Sequence, residues 1–466
     1  MDTKQRLAAD AASVSSPRPG PRLVALDLLD RLLAAARQSG ADAADAVFAD
    51  RRSLSVACRL GSRESLERSE SAVVGLRVFV GHRQAIVSSS DLGKDALAEM
   101  VSRAVSMARV VPEDPFCGLA DPAEVGQGEA TDVDACESDE IDATAANDRA
   151  LAAEAAALAI PGVSNSEGAE AGCGYDAFAI AATNGFRRAY ERSWNNVSVS
   201  VLAGEGTAME RDYAYSSAVY RGDLEDAATL GRRCGERAVR RLRPRKAGSA
   251  QVPVIFEPRV AGSILGHLSS AINGASVARG TTFLGDKLGE RLFAPTIRVI
   301  DDPLRRRGLR SRPFDGEGIA SQPHAVIDGG VLTTWFLDLR SARQLGLRST
   351  GHASRGASSP PSPSATNLYL EPGPLSPEAL IADIRSGLYV TDLMGFGVNG
   401  VTGDYSRGAS GFWIENGEIA YPVSEITISG HLLSMFAALT PASDLVFRYG
   451  TDSPTVRIDG MTVAGR

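Results

Sequence analysis

Val73-Val74-Gly75-Leu76-Arg77-Val78-Phe79-Val80-Gly81-His82-Arg83-Gln84-Ala85-Ile86-Val87 is the stretch on which the fold turns. Leu76, Val78 and Val80 alternate with other residues, as do Ala85 and Val87 beyond Gly81-His82. A period of two puts those side chains on one face of a pleated strand, and the Gly-His pair reads as the turn between two such strands. Upstream, Val47-Phe48, Leu54, Val56, Cys58 and Leu60 continue the pattern, with punctuation at Gly61-Ser62 and Ser69-Glu70. Ala46–Ser90 therefore predicts a meander of about four antiparallel strands. Helical spacing flanks it. Leu23–Ser39 repeats leucines at helical intervals and stops at Gly40. Asp91–Val111 places Leu92, Leu97, Met100, Val101, Ala104 and Met107 on one face, with Asp91 as a candidate cap.

Further along, Pro112–Ala130 is a polar connection, Asp142–Ala159 an alanine-rich helix, and Ala177–Ala182 and Val197–Ala203 are strand-like. Asp223–Leu242 reads as a helix ending in a basic string. Gln251–Phe256 opens a Gly- and Pro-rich region with helices at Pro258–Ala275 and Ser376–Gly387. The expected fold class is α+β: an N-terminal antiparallel sheet with helices, a middle α/β region and a mostly-β C-terminal domain. The expected boundaries are a flexible tail at 1–22, then 23–120, 135–247 and 251–465.

The chain has 466 residues, 44% of them apolar and 23% charged, with 49 basic against 57 acidic residues. An acidic balance of −8 argues against a nucleic-acid-coating protein. No run approaches the about 18 apolar residues of a membrane span, and no apolar core of a secretory signal follows the N-terminus. Five scattered cysteines without a CxxC pair fit a reducing compartment. A cytoplasmic protein with no nucleic-acid or membrane partner is expected.

Candidate chemistry is sparse. Arg232–Lys246 holds eight basic residues and one acidic one without interleaved aromatics, which predicts a solvated helix end and linker rather than a nucleic-acid patch. Gly395-Phe396-Gly397-Val398-Asn399-Gly400 matches GxGxxG, but Val401-Thr402-Gly403-Asp404 after it is turn and strand chemistry, so no pyrophosphate-holding helix follows. Neither a P-loop nor a GxSxG elbow occurs. Phe412–Val423 contains Asn416-Gly417, a type I′ hairpin turn with Ile414 and Ile419 on one face. Phe412, Ile414, Asn416, Gly417, Ile419 and Tyr421 are candidates for an edge that takes an extended peptide as an added strand, against the simpler reading of a structural hairpin. His267 lies in the helix Pro258–Leu268 beside small residues, while His82, His324, His352 and His431 are isolated in sequence. One histidine does not make a zinc site.

Several strings taken together resemble the TldD/PmbA family, and within it the PmbA (TldE) branch, over about residues 25–465. They are Arg68-Ser69-Glu70-Ser71, Gly75–Gly81, Ser88-Ser89-Ser90-Asp91, Ala271–Gly280, Arg310-Ser311-Arg312-Pro313-Phe314-Asp315-Gly316-Glu317-Gly318, Ser364–Leu370 and Gly400–Gly408. The resemblance implies a three-part chain and a TldD–TldE heterodimer that cleaves peptides at a metal site. In the TldD branch that site uses an HExxxH helix and a later Cys, two imidazoles and a thiolate holding zinc while the Glu serves as base. Here the matching helix reads Gly262-Ser263-Ile264-Leu265-Gly266-His267, and Phe447-Arg448-Tyr449-Gly450-Thr451-Asp452-Ser453 stands at the Cys-bearing end. Gly262 has no donor atom, Ser263 is too weak a base, and only His267 survives. The implied role is a non-catalytic subunit with no catalytic residue, metal or cofactor of its own, zinc being expected in a TldD-like catalytic partner. Its other partner would be an extended, unfolded or modified peptide, and a homodimer is compatible. The alternatives are a peptide-binding or assembly protein without a protease role, and an autonomous hydrolase with an unrecognised site.

Overall fold

A computed structural model describes residues 21–126, 131–137 and 142–465. The tail expected at 1–22 lies, up to residue 20, outside the described residues, and a helix begins at Pro21. Strands β1 (Ala43–Arg59) and β2 (Ser62–Val80) form one long antiparallel hairpin running from Ala43 opposite Phe79 to Arg59 opposite Ser62. Leu60 and Gly61 turn it with φ of 49° and 74°, the double positive φ of a type I′ turn. β3 (Arg83–Ser89) folds back on β2. The meander thus has three strands instead of about four. Ser69-Glu70 is not a turn but the middle of β2, paired with Ser53 and Arg52. Its residues are polar because this part of the hairpin is exposed, and loss of alternation there imitates a break.

The free edge of β1 pairs with β4 (Val163–Ala182), which continues through β5 (Arg187–Ala203) to β6 (Glu210–Ala218). The N-terminal and middle regions therefore share one six-stranded antiparallel sheet in the order β3-β2-β1-β4-β5-β6. Two helix pairs build two cores on it. Helix α1 (Pro21–Gln38) contributes Leu28, Leu29, Leu32 and Leu33, and α2 (Lys94–Val110) contributes Met100, Val101, Ala104, Val105 and Ala108, both against Ala46, Leu76 and Val78. Leu92 and Met107 lie off that stripe and are exposed. Asp91 does not cap the helix; its carboxylate accepts the Gly93 amide at 2.8 Å, and Gly93 is the capping position. Helix α3 (Ala143–Leu158) is capped by Asp142 through the Thr144 amide. Its alanines let α4 (Ala227–Arg240) approach so closely that a Cβ on Gly231 would sit 2.0 Å from the Ala153 carbonyl oxygen.

The C-terminal region is built on β7 (Ala250–Phe256) followed by α5 (Pro258–Ala271). The helix is shorter than expected. It breaks at Ile272-Asn273, and Asn273 caps a second short helix, α6 (Gly274–Ala278). A small sheet follows, of β8 (Val299–Asp301), β9 (His324–Asp328) and β10 (Val331–Leu332). After α7 (Leu339–Leu345) and the pair β11 (Ala353–Ser354) and β12 (Ser362–Pro363), β13 (Leu368–Leu370) joins the small sheet. The helix expected at Ser376–Gly387 is only α8 (Pro377–Ile381), because Ser386 already opens β14 (Ser386–Met394). Then come β15 (Asp404–Glu415), β16 (Glu418–His431), α9 (Leu432–Ala437), β17 (Leu439–Pro441), β18 (Thr451–Asp452) and β19 (Val456–Ala464). β19 pairs with β7 on one side and with the end of β16 on the other. The large sheet β16-β15-β14-β7-β19 thereby closes on itself. α5 lies against it, with Val260, Ile264, Leu265 and Leu268 in one core with Phe256, Leu388, Val390 and Tyr405.

Candidate functional site

Helix α5 starts with Pro258 after Glu257, a favourable first position for a residue without an amide hydrogen. The segment Phe447–Ser453 crosses its first turns, held by Asp452, whose carboxylate accepts the amides of Arg448, Tyr449 and Gly450 at 2.8, 2.8 and 3.1 Å. The two stretches singled out in sequence are therefore neighbours. A Cβ built on Gly262 would lie 2.9 Å from the Thr451 carbonyl oxygen, so that backbone fills the space a side chain at 262 would need. The Ser263 hydroxyl is turned back on its own helix and donates to the Val260 carbonyl at 2.6 Å.

His267 faces Tyr405 edge-on, with ring centroids 5.8 Å apart. Among the described residues its Nε2 and the Tyr405 hydroxyl, both buried, have no hydrogen-bond partner. Burial, with the positive charge of Arg407, pushes the His267 pKa down to about 4, so the ring is neutral at pH 7. A zinc site takes about three protein ligands plus an open position. One imidazole, one self-bonded hydroxyl and one glycine do not supply them. Among the described residues no group of three or more His, Cys, Asp or Glu side chains is placed to hold a metal. His324 and His352 do meet, at 5.1 Å between rings, but His352 stacks on Phe336 and pairs with Asp301 in the core.

Beside the start of α5 a cavity of about 450 Å³ opens between the middle and C-terminal regions. Tyr215, Arg233 and Arg237 line it from the middle region, and Glu257, Tyr389 and Tyr449 from the other. The Tyr215 and Tyr449 rings are 4.8 Å apart. Its floor is a buried ion network. The Arg259 guanidinium donates to Asp212 at 2.6 Å, Glu257 at 2.8 Å, and the carbonyls of Tyr213 and Thr391 at 2.7 and 2.8 Å. Burial works to raise the Asp212 pKa, but Arg259 and Arg241 outweigh it and hold the carboxyl below its ordinary range. At Glu257 burial wins over Arg259 and Arg237, and its pKa is raised. Sequence reasoning missed this cleft. The available signals were Tyr213 and Tyr215 on one strand face and Arg233 and Arg237 one helical turn apart.

Within the basic string Arg232, Arg240, Arg243, Arg245 and Lys246 are exposed, as in a solvated helix end and linker, but Arg241 is not. Arg241 is buried, 3.3 Å from Asp212 and 2.6 Å from the Ser410 hydroxyl. Arg240 lies over the Phe412 ring at 5.0 Å and Arg245 over Tyr421 at 4.3 Å. These cations clamp the β15–β16 hairpin to the middle region. In that hairpin Asn416 and Gly417 have φ of 51° and 82°, the expected turn. Phe412 and Ile414 are buried, whereas Asn416 and Ile419 are exposed. Arg245 covers the edge near Val423 by donating its amide to the Pro422 carbonyl at 2.9 Å. The GxGxxG stretch joins β14 to β15 with no helix after it. Gly397 is required by close approach, since a Cβ there would sit 1.9 Å from the Ser406 carbonyl oxygen.

Fold and site together define a chain of three regions, with a shared antiparallel sheet, a closed β-rich C-terminal domain, and a cleft at the start of one helix between them. Family models match throughout: PmbA/TldA metallopeptidase domain 1 over 44–108, the central domain over 136–242 and the C-terminal domain over 249–465. The metalloprotease PmbA of Escherichia coli O157:H7 is 38% identical over 427 residues, covering 91% of this chain and 93% of its own. A Bacteroides thetaiotaomicron crystal structure, described as a modulator of DNA gyrase, superposes with a TM-score of 0.87 at 26% identity, covering 94% and 98% of the two chains. The crystal structure of TldE from Thermococcus kodakarensis superposes with a TM-score of 0.84 at 18% identity, covering 94% and 100%. The chain belongs to the PmbA/TldD metallopeptidase family, on its PmbA/TldE branch.

Proposed function

We propose that this chain is the subunit without a metal site in a two-subunit peptidase, paired with a TldD-like catalytic chain that carries the zinc and acting on unfolded or modified peptides. The observation that carries the reading is the contact between Gly262 and the Thr451 carbonyl: at the position where the resemblance implies donors in the TldD branch there is a glycine, and backbone takes the volume a side chain would need. Family membership supports a peptidase role at the coarse level. The tyrosine- and arginine-lined cleft beside α5 is a surface along which an extended peptide can lie. Phe396, fully exposed between β14 and β15, with Met394 and Val401 also exposed in the same stretch of chain, offers apolar surface to a partner subunit. Residence in the cytoplasm belongs to the same reading and is supported by five free cysteines. Among the described residues no helix is long and apolar enough to cross a membrane.

The test is reconstitution. The purified chain alone is expected to contain substoichiometric zinc and to leave a flexible peptide uncut. Mixing with a TldD-like chain is expected to give cleavage that a chelator stops. One tightly bound zinc per isolated chain, or cleavage by the chain alone, would overturn it. Binding of peptide with no effect on the partner's cleavage would favour the assembly-protein reading.

A further inference from the structure

The seam between the middle and C-terminal regions continues past the cleft beside α5. Asp452, which lines that cleft, also lines a second cavity of about 200 Å³, with Arg305, Arg306 and Arg307 on one wall and Ser217, Ala218 and Val219 on the other. A third cavity, of about 320 Å³, comes next: its Arg310 and Thr366 follow directly on Leu309 and Asn367 of the second. The sheet-side walls join as well. Arg192 lines the third cavity, and the hydroxyl of the adjacent Ser193 donates to the Val219 carbonyl at 3.0 Å. Arg310 bridges back to the segment over α5, its guanidinium donating to the Thr451 hydroxyl at 3.3 Å, while a Cβ on Gly450 would stand 2.9 Å from its Nε. On β6 the wall from Ala218 to Ala214 is four residues long. At about 3.3 Å per residue that is about 13 Å of extended backbone.

The outer two cavities are positive in a chain that is negative overall. Their carboxylates are each divided between guanidiniums. Asp176 serves Arg192 at 3.0 Å and Arg51 at 3.6 Å, and Asp134 serves Arg307 at 2.9 Å and Arg306 at 3.2 Å. Asp223 takes Arg307 a second time, at 3.1 Å. Arg305 lies over the Phe447 ring at 3.3 Å and Arg310 holds the Thr451 hydroxyl; among the described residues neither is ion-paired with a carboxylate. Arg51, Arg306, Arg307 and Arg310 are exposed, so a ligand can reach them. In the cleft beside α5, by contrast, Glu257, Glu378 and Asp444 stand against the arginines, which confines the excess to the outer cavities. Charge of this kind, at the rim of a path, selects partners by complementarity. A guanidinium matches a carboxylate with two parallel N–H donors.

We propose that the two outer cavities take acidic side chains of an extended peptide whose backbone runs along the seam to α5, so that the chain selects peptides rich in Asp or Glu, an inference that rests on the reading of the cleft beside α5 as a peptide path. A nucleic acid would meet the same arginines, but its phosphates continue past the seam over a molecule that is acidic in sum. A peptide carries its charge only where the seam is positive.

Fluorescence anisotropy of the full chain at low salt tests this with three labelled probes: a flexible decapeptide with four glutamates, the same peptide with glutamines in their place, and a five-nucleotide single-stranded DNA that carries the same four charges. Exposed ion pairs contribute about two- to fivefold each, so the glutamate peptide is expected to bind at least about tenfold tighter than the glutamine peptide. That advantage is expected to fade in about 0.5 M salt. Arg310→Gln is expected to remove about threefold of it and to leave the glutamine peptide unaffected. If Arg310→Gln does not fold, Arg306→Gln, at a more exposed position, is the deciding variant with the same expectation. Equal binding of the two peptides, or an unaltered preference in the folded variant, overturns the acidic class and leaves the cleft a peptide path. Binding of neither peptide overturns both. Tighter binding of the DNA than of the glutamate peptide overturns the proposal in favour of nucleic acid.

Discussion

Gly262 and Thr451 touch across the first turns of α5: the glycine Cα faces the threonine carbonyl so closely that a methyl group would stand 2.9 Å from the oxygen. Four residues on, beyond Gly266's chain neighbours and its own helix backbone, no atom of the described residues lies within 4 Å of the same ideal position. Two glycines on one helix thus differ in the reason for their size. At 262 the space is taken; at 266 it is free.

That contrast predicts opposite effects of the same substitution. Alanine in a helix interior gains about 1 kcal/mol over glycine, so Gly266→Ala is expected to stabilise by about 0.5–1 kcal/mol. At 262 the gain is set against overpacking on backbone that has no flexible end to yield, costing about 1–3 kcal/mol. Gly262→Ala is expected to lower stability by up to about 2 kcal/mol. Paired urea denaturation curves measure both, and Gly262→Ala matching Gly266→Ala would remove the close-contact argument.

How much of this was legible in sequence follows the range of the forces involved. The β-hairpin turn at Asn416-Gly417 and the helices at 23–39 and 142–159 are local, set by turn chemistry and periodicity, and they stand close to where expected. The continuous β2 was misread at Ser69-Glu70 because an exposed ladder loses the alternation that burial imposes. The pairing of β1 with β4, more than a hundred residues apart, has no local signature. The same holds for the site. That Gly262 has no donor atom and Ser263 only a weakly basic hydroxyl is readable from residue chemistry; that donors would stand there is what the resemblance implies. The Arg259–Asp212 floor of the cleft and the Arg241 clamp join residues distant in sequence, so nothing local set Arg241 apart from its exposed neighbours in the basic string.

Phe396 carries a prediction about assembly. A wholly exposed phenylalanine flanked by Met394 and Val401 contributes nothing to the core, so Phe396→Asp is expected to shift stability by no more than about 0.5 kcal/mol. At the centre of an interface such an aromatic is worth about 2 kcal/mol or more, or roughly a thirtyfold loss of affinity when removed. Sedimentation of the variant with a TldD-like chain, and alone, reads the effect. Unchanged association in both would place the contact elsewhere.

His267 predicts an acid limb. In the unfolded chain its imidazole titrates near about 6.5, whereas in the fold burial and Arg407 hold it at about 4. Between those values the unfolded state binds the extra proton, so stability rises with pH in that window and is lost as pH falls from 6.5 towards 4. His267→Leu, which keeps an apolar side chain beside Tyr405, is expected to flatten this part of the pH profile. Denaturation midpoints at half-unit pH steps check it; an unaltered slope would assign the limb to other groups.

Glu317 gives the opposite sign. Its carboxyl is pushed from 4.5 to about 8 by burial, with the neighbouring Asp315 charge adding to the rise and Arg77, at 3.8 Å, pulling the other way. Across that interval the folded state holds a proton the unfolded state has released, so the contribution is full below pH 4.5 and is lost as pH rises through 8. Glu317→Gln keeps an acceptor for the Leu339 amide, which the glutamate side chain now receives at 2.8 Å, and cannot ionise. The variant is expected to lose less stability than the native chain between pH 6 and pH 9, by about 1 kcal/mol or more at the upper end. The sign discriminates: if Arg77 held Glu317 ionised instead, the glutamine would cost stability at neutral pH and the variant's curve would fall below the native one throughout.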